Sequence, residues 1–349
     1  MRKRLDFREQ GWLQRVCDEA QEALWTCFWD EKEGVFQNHF PVKKEENWIY
    51  WWHAHALDAL LDGYLRKKDS IYLERFVKEY EGTYRRNGNT FLHNWYDDME
   101  WMALALLRAF DITQKASYRE QVQIIWEDIK TAWNDYCGGG MAWKKDQRDY
   151  KNTPANGPAA ILAFRLYQRF GDERDLDWGR RILDWNLEHL MDPKTCFIWD
   201  GMNRLGDGKV DYEWKFTYCQ GVIVGAALEY HKISGDSGYL ALAGKVARRA
   251  VAELADADGI FPYEGPDDCG LFRGIYFRYV CELVKASDEF GDLREVLLKN
   301  ARFLAENGRN SDGLTGGHWE RREEGCIDLA QHLSAVMALE MAAAIQEEG

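Results

Sequence analysis

Proline is scarce, at 6 in 349 residues, and no stretch approaches the roughly 18 consecutive apolar residues of a membrane span. Positive charge is in deficit too. Lys and Arg number 45 against 59 Asp and Glu, and the net charge of −14 argues against nucleic-acid or anionic-membrane partners, which select basic surfaces. The 8 cysteines form no CxxC pair, and Cys27, Cys219 and Cys281 fall inside helical patterns, as reduced, buried thiols do. The N-terminus "MRKRLDFREQGW" places Asp6, Arg8 and Glu9 where a signal peptide needs an apolar run. These absences lead us to expect a cytoplasmic globular protein.

What is present is a repeat. "KKDSIYLERFV", "TQKASYREQV", "FGDERDLDWG", "SGDSGYLALA" and "FGDLREVLLK" each close one apolar helical pattern and open another, with Asp or Ser placed to cap the new helix. Anchored on Asp69, Ala116, Asp172, Asp236 and Asp292, they lie 47, 56, 64 and 56 residues apart. A second series, Gly34, Gly88, Gly140, Cys196, Gly259 and Gly313, precedes aromatic or apolar residues at spacings of 54, 52, 56, 63 and 54. Two interleaved repeats of one period describe six copies of a helix pair.

The first helices of the pairs, 8–28, 70–85, 117–136, 173–190, 237–255 and 292–307, are amphipathic. The second set, 48–67, 95–112, 154–170, 216–233, 271–288 and 326–346, is apolar on most sides and therefore buried. Six inner and six outer helices predict an all-α (α/α)6 toroid occupying 1–349 as a single domain. Inner-to-outer connections are short. The outer-to-inner loops are long, hold most of the Gly, Trp, Tyr and unpaired Asp, and are expected to gather around the inner-helix N-termini, where long loops are usually functional.

On that face lies "HNWYDDMEWMALALL", with Asp97 and Asp98 adjacent among Trp95, Tyr96 and Trp101. Taken alone, acids in a first helical turn complement the helix dipole. An aromatic setting gives the pair a second reading. Two neighbouring carboxyls repel, one pKa rises, and an acid and an anion coexist, as glycoside hydrolysis requires. With 16 Trp, the chain has aromatics to spare for a sugar-stacking cleft.

Several segments then bear a resemblance in order along the chain: "NWYDDMEWMALALLRAF" (94–110), "GGGMAW" (138–143), "KNTPAN" (151–156), "IWDG" (198–201), "TYCQG" (217–221) and "FRGIYFRY" (272–279). Together they resemble glycoside hydrolase family 76, the endo-α-1,6-mannanases, which are (α/α)6 toroids. The resemblance implies a retaining mechanism without a cofactor, Asp97 as nucleophile, Asp98 as general acid/base, and an α-mannoside oligosaccharide as substrate. Family members typically carry Asn at the position of Cys219 and Lys at that of Arg273.

Around the pair, the expected substrate contacts are Tyr96, Trp143, Lys151, Asn152, Asp200, Tyr218, Gln220 and Arg273. Trp143 follows the Gly138–Gly140 turn and offers a stacking face or a packed core residue. Asn152 equally suits a helix cap. Asp200 suits either a vicinal hydroxyl pair or the turn before Gly201. His53 and His55, two apart on a helix, diverge too far for a metal site, and no metal is expected. Two other functions remain open at this point: a sugar isomerase or 2-epimerase using His53 and His231 as bases, and a non-catalytic carbohydrate-binding toroid.

Overall fold

The computed structural model of the chain describes residues 11–43 and 48–346. The basic N-terminal segment and the expected helix start at residue 8 lie outside the described residues. Backbone contacts divide the chain into two compact units, one made of Met1–Thr90 with Ala255–Gly349, the other of Phe91–Leu254.

The first unit holds helices α1 (Trp12–Phe28), α2 (Tyr50–Lys67) and α3 (Ile71–Arg86) from the N-terminal segment. In this unit α12 (Leu329–Ile345) packs against α1, α2, α10 (Cys269–Ala286) and α11 (Gly291–Asn307). Its sequence "LAQHLSAVMALEMAAAI" is buried without interruption from Leu329 to Ala342, as the all-round apolar pattern demands. Short strand pairs tie its loops: β1 (Trp29–Asp30) with β2 (Val35–Phe36), and β3 (His39–Phe40) with β7 (Ile327–Asp328).

The second unit has the same logic. Inner helices α4 (Tyr96–Thr113), α6 (Thr153–Phe170) and α8 (Thr217–Ser234) pack in sequence, and α5 (Ala116–Ile129), α7 (Glu173–Leu190) and α9 (Ser237–Leu254) back them. Close approach is built in: a Cβ on Gly157 of α6 would stand 2.3 Å from Cγ2 of Val222 on α8. Inner-to-outer turns are the tight segments 114–115, 171–172 and 235–236. Asp172 accepts the Arg174 backbone N–H and Asp236 that of Gly238, as the repeat's caps predict.

The outer-to-inner loops 87–95, 130–152 and 191–216 are long, as expected, but not free of strand. They supply β4 (Ala142–Lys144), β5 (Gln147–Asn152) and β6 (Gly201–Met202), an antiparallel sheet in that order. A further bridge joins Trp95 to Lys144. The expected outer helix 117–136 stops at Ile129, and the chain turns through a short 3-10 segment into this sheet.

Candidate active site

The sheet brings the N-terminal ends of α4, α6 and α8 together. Asp97 and Asp98 sit in the first turn of α4, whose N-cap, Trp95, makes no side-chain cap. Asp97 Oδ1 accepts the Asp98 backbone N–H at 3.0 Å, using one of the amides a helix start leaves open. Its Oδ2 accepts the indole N–H of Trp143 at 3.0 Å. Trp143 is on β4, so the carboxylate is clamped between its own helix and the sheet. Asp98 Oδ2 stands 3.1 Å from Nδ1 of His93, whose ring stacks on Trp95 at 5.1 Å. Both acids are half-buried; the Asp98 side chain is 14% exposed.

The two carboxyls have different neighbours. Two N–H donors on Asp97 favour its anion. Burial, reinforced by the Lys145 ammonium, pushes His93 down to about 4, so Asp98 faces a neutral imidazole and not a cation. One turn along α4, Glu100 is fully buried. Burial and the charges of Asp97 and Asp98 hold its carboxyl well above the usual range, against a weaker opposing pull from the Ala159 amide of α6. Lys144 reaches over the rings of both Trp143 and Trp95, at 5.2 and 5.7 Å, and also pairs with Asp146 at 3.5 Å.

A second carboxyl network lies behind the first. Asp200, just before β6, is almost fully buried; its Oδ1 accepts the Tyr218 hydroxyl at 2.9 Å and the Cys219 thiol at 3.5 Å. Oδ2 accepts the Tyr150 hydroxyl at 3.0 Å. Burial raises the Asp200 pKa, and these donors oppose the rise. Tyr150 in turn meets Trp143 edge-on at 5.7 Å. The chain Asp200–Tyr150–Trp143–Asp97 is continuous.

Several residues expected to touch substrate are buried and bonded within the fold. Lys151 and Gln220 have no exposed surface. Lys151 Nζ donates to the Gly140 carbonyl, and burial depresses its pKa to about 7. Gln220 exchanges hydrogen bonds with the backbone of Ile198 in both directions. Asn152 caps α6, accepting the Ala155 N–H, so its alternative reading holds. Tyr96 is buried, its hydroxyl 3.0 Å from that of Thr131. Asp200 and Tyr218 bond each other. In the first unit, Arg273 is buried, stacks on Trp319 at 3.8 Å and donates to the carbonyls of Phe261 and Gly317. Polar residues near inner-helix starts thus serve the loops' backbone before they serve a ligand. Trp143 alone of that set stays half-exposed beside the pair.

His53 is a core residue, fully buried with Nδ1 2.6 Å from Glu79. His231 lies near the C-terminal end of α8, bonded to the Asp236 carbonyl, about 20 Å of helix from the N-terminal end that faces the sheet. Sequence reasoning passed over His93, Glu100 and Tyr150. The first two carried a signal, lying within five residues of the Asp pair.

A family model described as glycosyl hydrolase family 76 matches residues 13–348. Among curated relatives, the mannan endo-1,6-alpha-mannosidase DCW1 of Candida glabrata is 24% identical over 324 residues, 82% of this chain and 71% of that protein. The solved structure of the GH76A alpha-1,6-mannanase from Salegentibacter sp. HEL1_6 is 38% identical, with a TM-score of 0.91 over 96% of this chain and 100% of that one. An inactive variant of that enzyme, with two aspartates changed to alanine, has been solved with alpha-1,6-mannotetrose; it is 37% identical, with a TM-score of 0.91 over 96% of this chain and 99% of that one. The Lin0763 protein from Listeria innocua is 39% identical, with a TM-score of 0.90 over 95% of this chain and 97% of that one. The fold is therefore the (α/α)6 toroid that the interleaved repeats predict.

Proposed function

The chain belongs to glycosyl hydrolase family 76 and is a glycoside hydrolase; from its site we propose that it cleaves α-1,6-mannosidic bonds in oligosaccharides by retaining double displacement. Asp97 is the nucleophile and Asp98 the general acid/base. What supports this division of labour is that the Trp143 indole and the Asp98 amide donate to Asp97, which favours its anion, while the imidazole beside Asp98 is uncharged.

The steps follow from these roles. Asp97 attacks the anomeric carbon while Asp98 gives its proton to the departing glycosidic oxygen. The ester formed at Asp97 is then hydrolysed by water, from which Asp98, now a carboxylate, takes the proton. Trp143 stabilises the anion before attack and after release. The α-1,6 linkage is supported by the activity printed for the Salegentibacter and Candida relatives. No disulfide joins any of the eight cysteines, which suits a reducing compartment; cell fractionation tests that part.

Product analysis on α-1,6-, α-1,2- and α-1,3-linked manno-oligosaccharides, comparing wild type with Asp97→Asn and Asp98→Asn, tests the reading. Cleavage of the α-1,6 series alone, an α-anomeric first product by NMR, and loss in both folded variants are expected. A β-anomeric first product would refute double displacement.

A further inference from the structure

Trp143 is half-exposed, so burial alone does not fix where its indole N–H points, yet that N–H meets Asp97 Oδ2 at 3.0 Å. Something must hold the ring. The Lys144 ammonium lies 5.2 Å from it, but a lysine head is flexible, and this one is also drawn to Trp95 and Asp146. Tyr150 is the rigid neighbour. It is 3% exposed and meets the indole edge-on, at 5.7 Å between centroids and 85° between planes, an arrangement aromatic pairs favour.

Tyr150 is itself held from several sides. Its strand, β5, pairs with β4 on one edge and with β6 on the other. Its hydroxyl donates to Asp200 Oδ2 at 3.0 Å. The ring fits because residue 201 is a glycine: a Cβ there would stand 2.6 Å from the Tyr150 hydroxyl and 2.8 Å from Cε2. Gly201 does not have a left-handed backbone, so what this glycine supplies is room. Asp200 is anchored in turn, because Oδ1 accepts the Tyr218 hydroxyl at 2.9 Å and the Cys219 thiol at 3.5 Å, both from the first turn of α8. A rigid path therefore runs from the start of α8 through Asp200 and Tyr150 to Trp143. It ends on Asp97, at the start of α4.

We propose that Tyr150, anchored by Asp200, is a positioning residue that holds the Trp143 indole in the orientation from which it donates to the nucleophile Asp97. Tyr150 acts through Trp143 and not on the sugar, and the inference rests on the hydrolase reading above. An indole turned away would leave Asp97 with the Asp98 amide but without its second donor, and the anion would be less favoured.

The test compares wild type, Tyr150→Phe, Tyr150→Leu, Trp143→Phe and the double variant Tyr150→Phe/Trp143→Phe on α-1,6-mannotetraose. Heteronuclear NMR of the indole N–H groups accompanies it, the Trp143 signal being the one lost in Trp143→Phe. Tyr150→Phe should lower kcat about three- to tenfold with little change in KM. Its acid limb should move to higher pH, and its Trp143 N–H signal should shift toward that of an unbonded indole. Tyr150→Leu, which removes the ring, should approach the loss seen in Trp143→Phe. Adding Tyr150→Phe to Trp143→Phe should change kcat by less than about twofold, because the bond that the tyrosine serves is already gone. A tyrosine that only fills the core gives another pattern: equal losses in both backgrounds, with the acid limb and the indole signal as in wild type. That pattern overturns the proposal. If Tyr150→Leu does not fold, Tyr150→Phe, smaller by one oxygen, decides alone. If wild type cleaves no α-mannoside, the hydrolase reading fails, and an unshifted Trp143 signal in Tyr150→Phe would then overturn the positioning role separately.

Discussion

The indole N–H of Trp143 points at Oδ2 of Asp97 across 3.0 Å, joining a sheet strand to the first turn of an inner helix. A tryptophan in this place does more than present a ring to a sugar: it donates a hydrogen bond that favours the anion of Asp97. Hydrogen bonds to an ionised acceptor are worth about 1.5–3 kcal/mol. Trp143→Phe keeps the ring and removes the donor. We expect kcat to fall roughly ten- to hundredfold, KM to change little, and the acid limb of the pH profile to move to higher pH. A variant with a wild-type acid limb would show that the bond does not tune Asp97.

Glu100 adds a third carboxyl to the same turn of α4. Its folded pKa is raised, so the stability it contributes is whole below its unfolded value near 4.5 and is lost as pH rises toward the folded value. Glu100→Gln is isosteric with the neutral acid. The variant should match wild-type kcat within about twofold near pH 6, and its stability advantage over wild type in urea unfolding should grow with pH from 5 upward. Its activity should also persist further into the alkaline range, because no third charge develops beside the pair. A sharp loss of kcat at pH 6 would show instead that Glu100 works as an anion.

Much of this was legible in the sequence because inner helices of a toroid must be apolar on most sides while outer ones need a single apolar face. That contrast separates "GVIVGAAL" from "YLERFVKEYEGTY", and the expected 173–190 coincides with α7. The sheet was not legible. β5 reads "QRDYKN", polar throughout and without alternation, because backbone pairing and not side-chain burial on one face holds it. Lys151 and Gln220 are ambiguous in sequence for a related reason. A polar side chain at a loop–helix junction looks the same in sequence whether it bonds a carbonyl or a sugar hydroxyl. At Arg273 the planar guanidinium stacks on Trp319 and serves two carbonyls at once.

Gly140 shows how the outer layer supports the site. Its φ is +81°, and a Cβ there would stand 2.6 Å from the Trp185 ring. The same residue's carbonyl receives Lys151 Nζ at 2.7 Å. Gly140→Ala combines a left-handed backbone with overpacking and should cost about 2–4 kcal/mol in urea unfolding. Since β4 begins two residues later, kcat should fall with it. Full stability in the variant would mean that the turn relaxes without strain.

His93 sets a pH dependence opposite in sign to that of Glu100. Its folded pKa is pushed down from 6.5 to about 4 by burial and then by Lys145. The folded state therefore binds fewer protons than the unfolded chain between those values, and stability must fall as pH drops from 6.5 toward 4, by at most about 1.4 kcal/mol per unit from this residue. His55 and His332, depressed to about 3 and about 4 by burial, act in the same direction, so the informative quantity is a difference. His93→Gln retains a polar group of similar reach beside Asp98 without a titrating ring. Urea unfolding at pH 4, 5, 6 and 7 should show the variant losing less stability than wild type over this range, with the two converging in slope above pH 6.5. If the two slopes agree between pH 4 and 6, His93 is charged in the folded protein. Asp98 would then face a cation, and the assignment of the proton to Asp98 at the start of the reaction would have to be reversed.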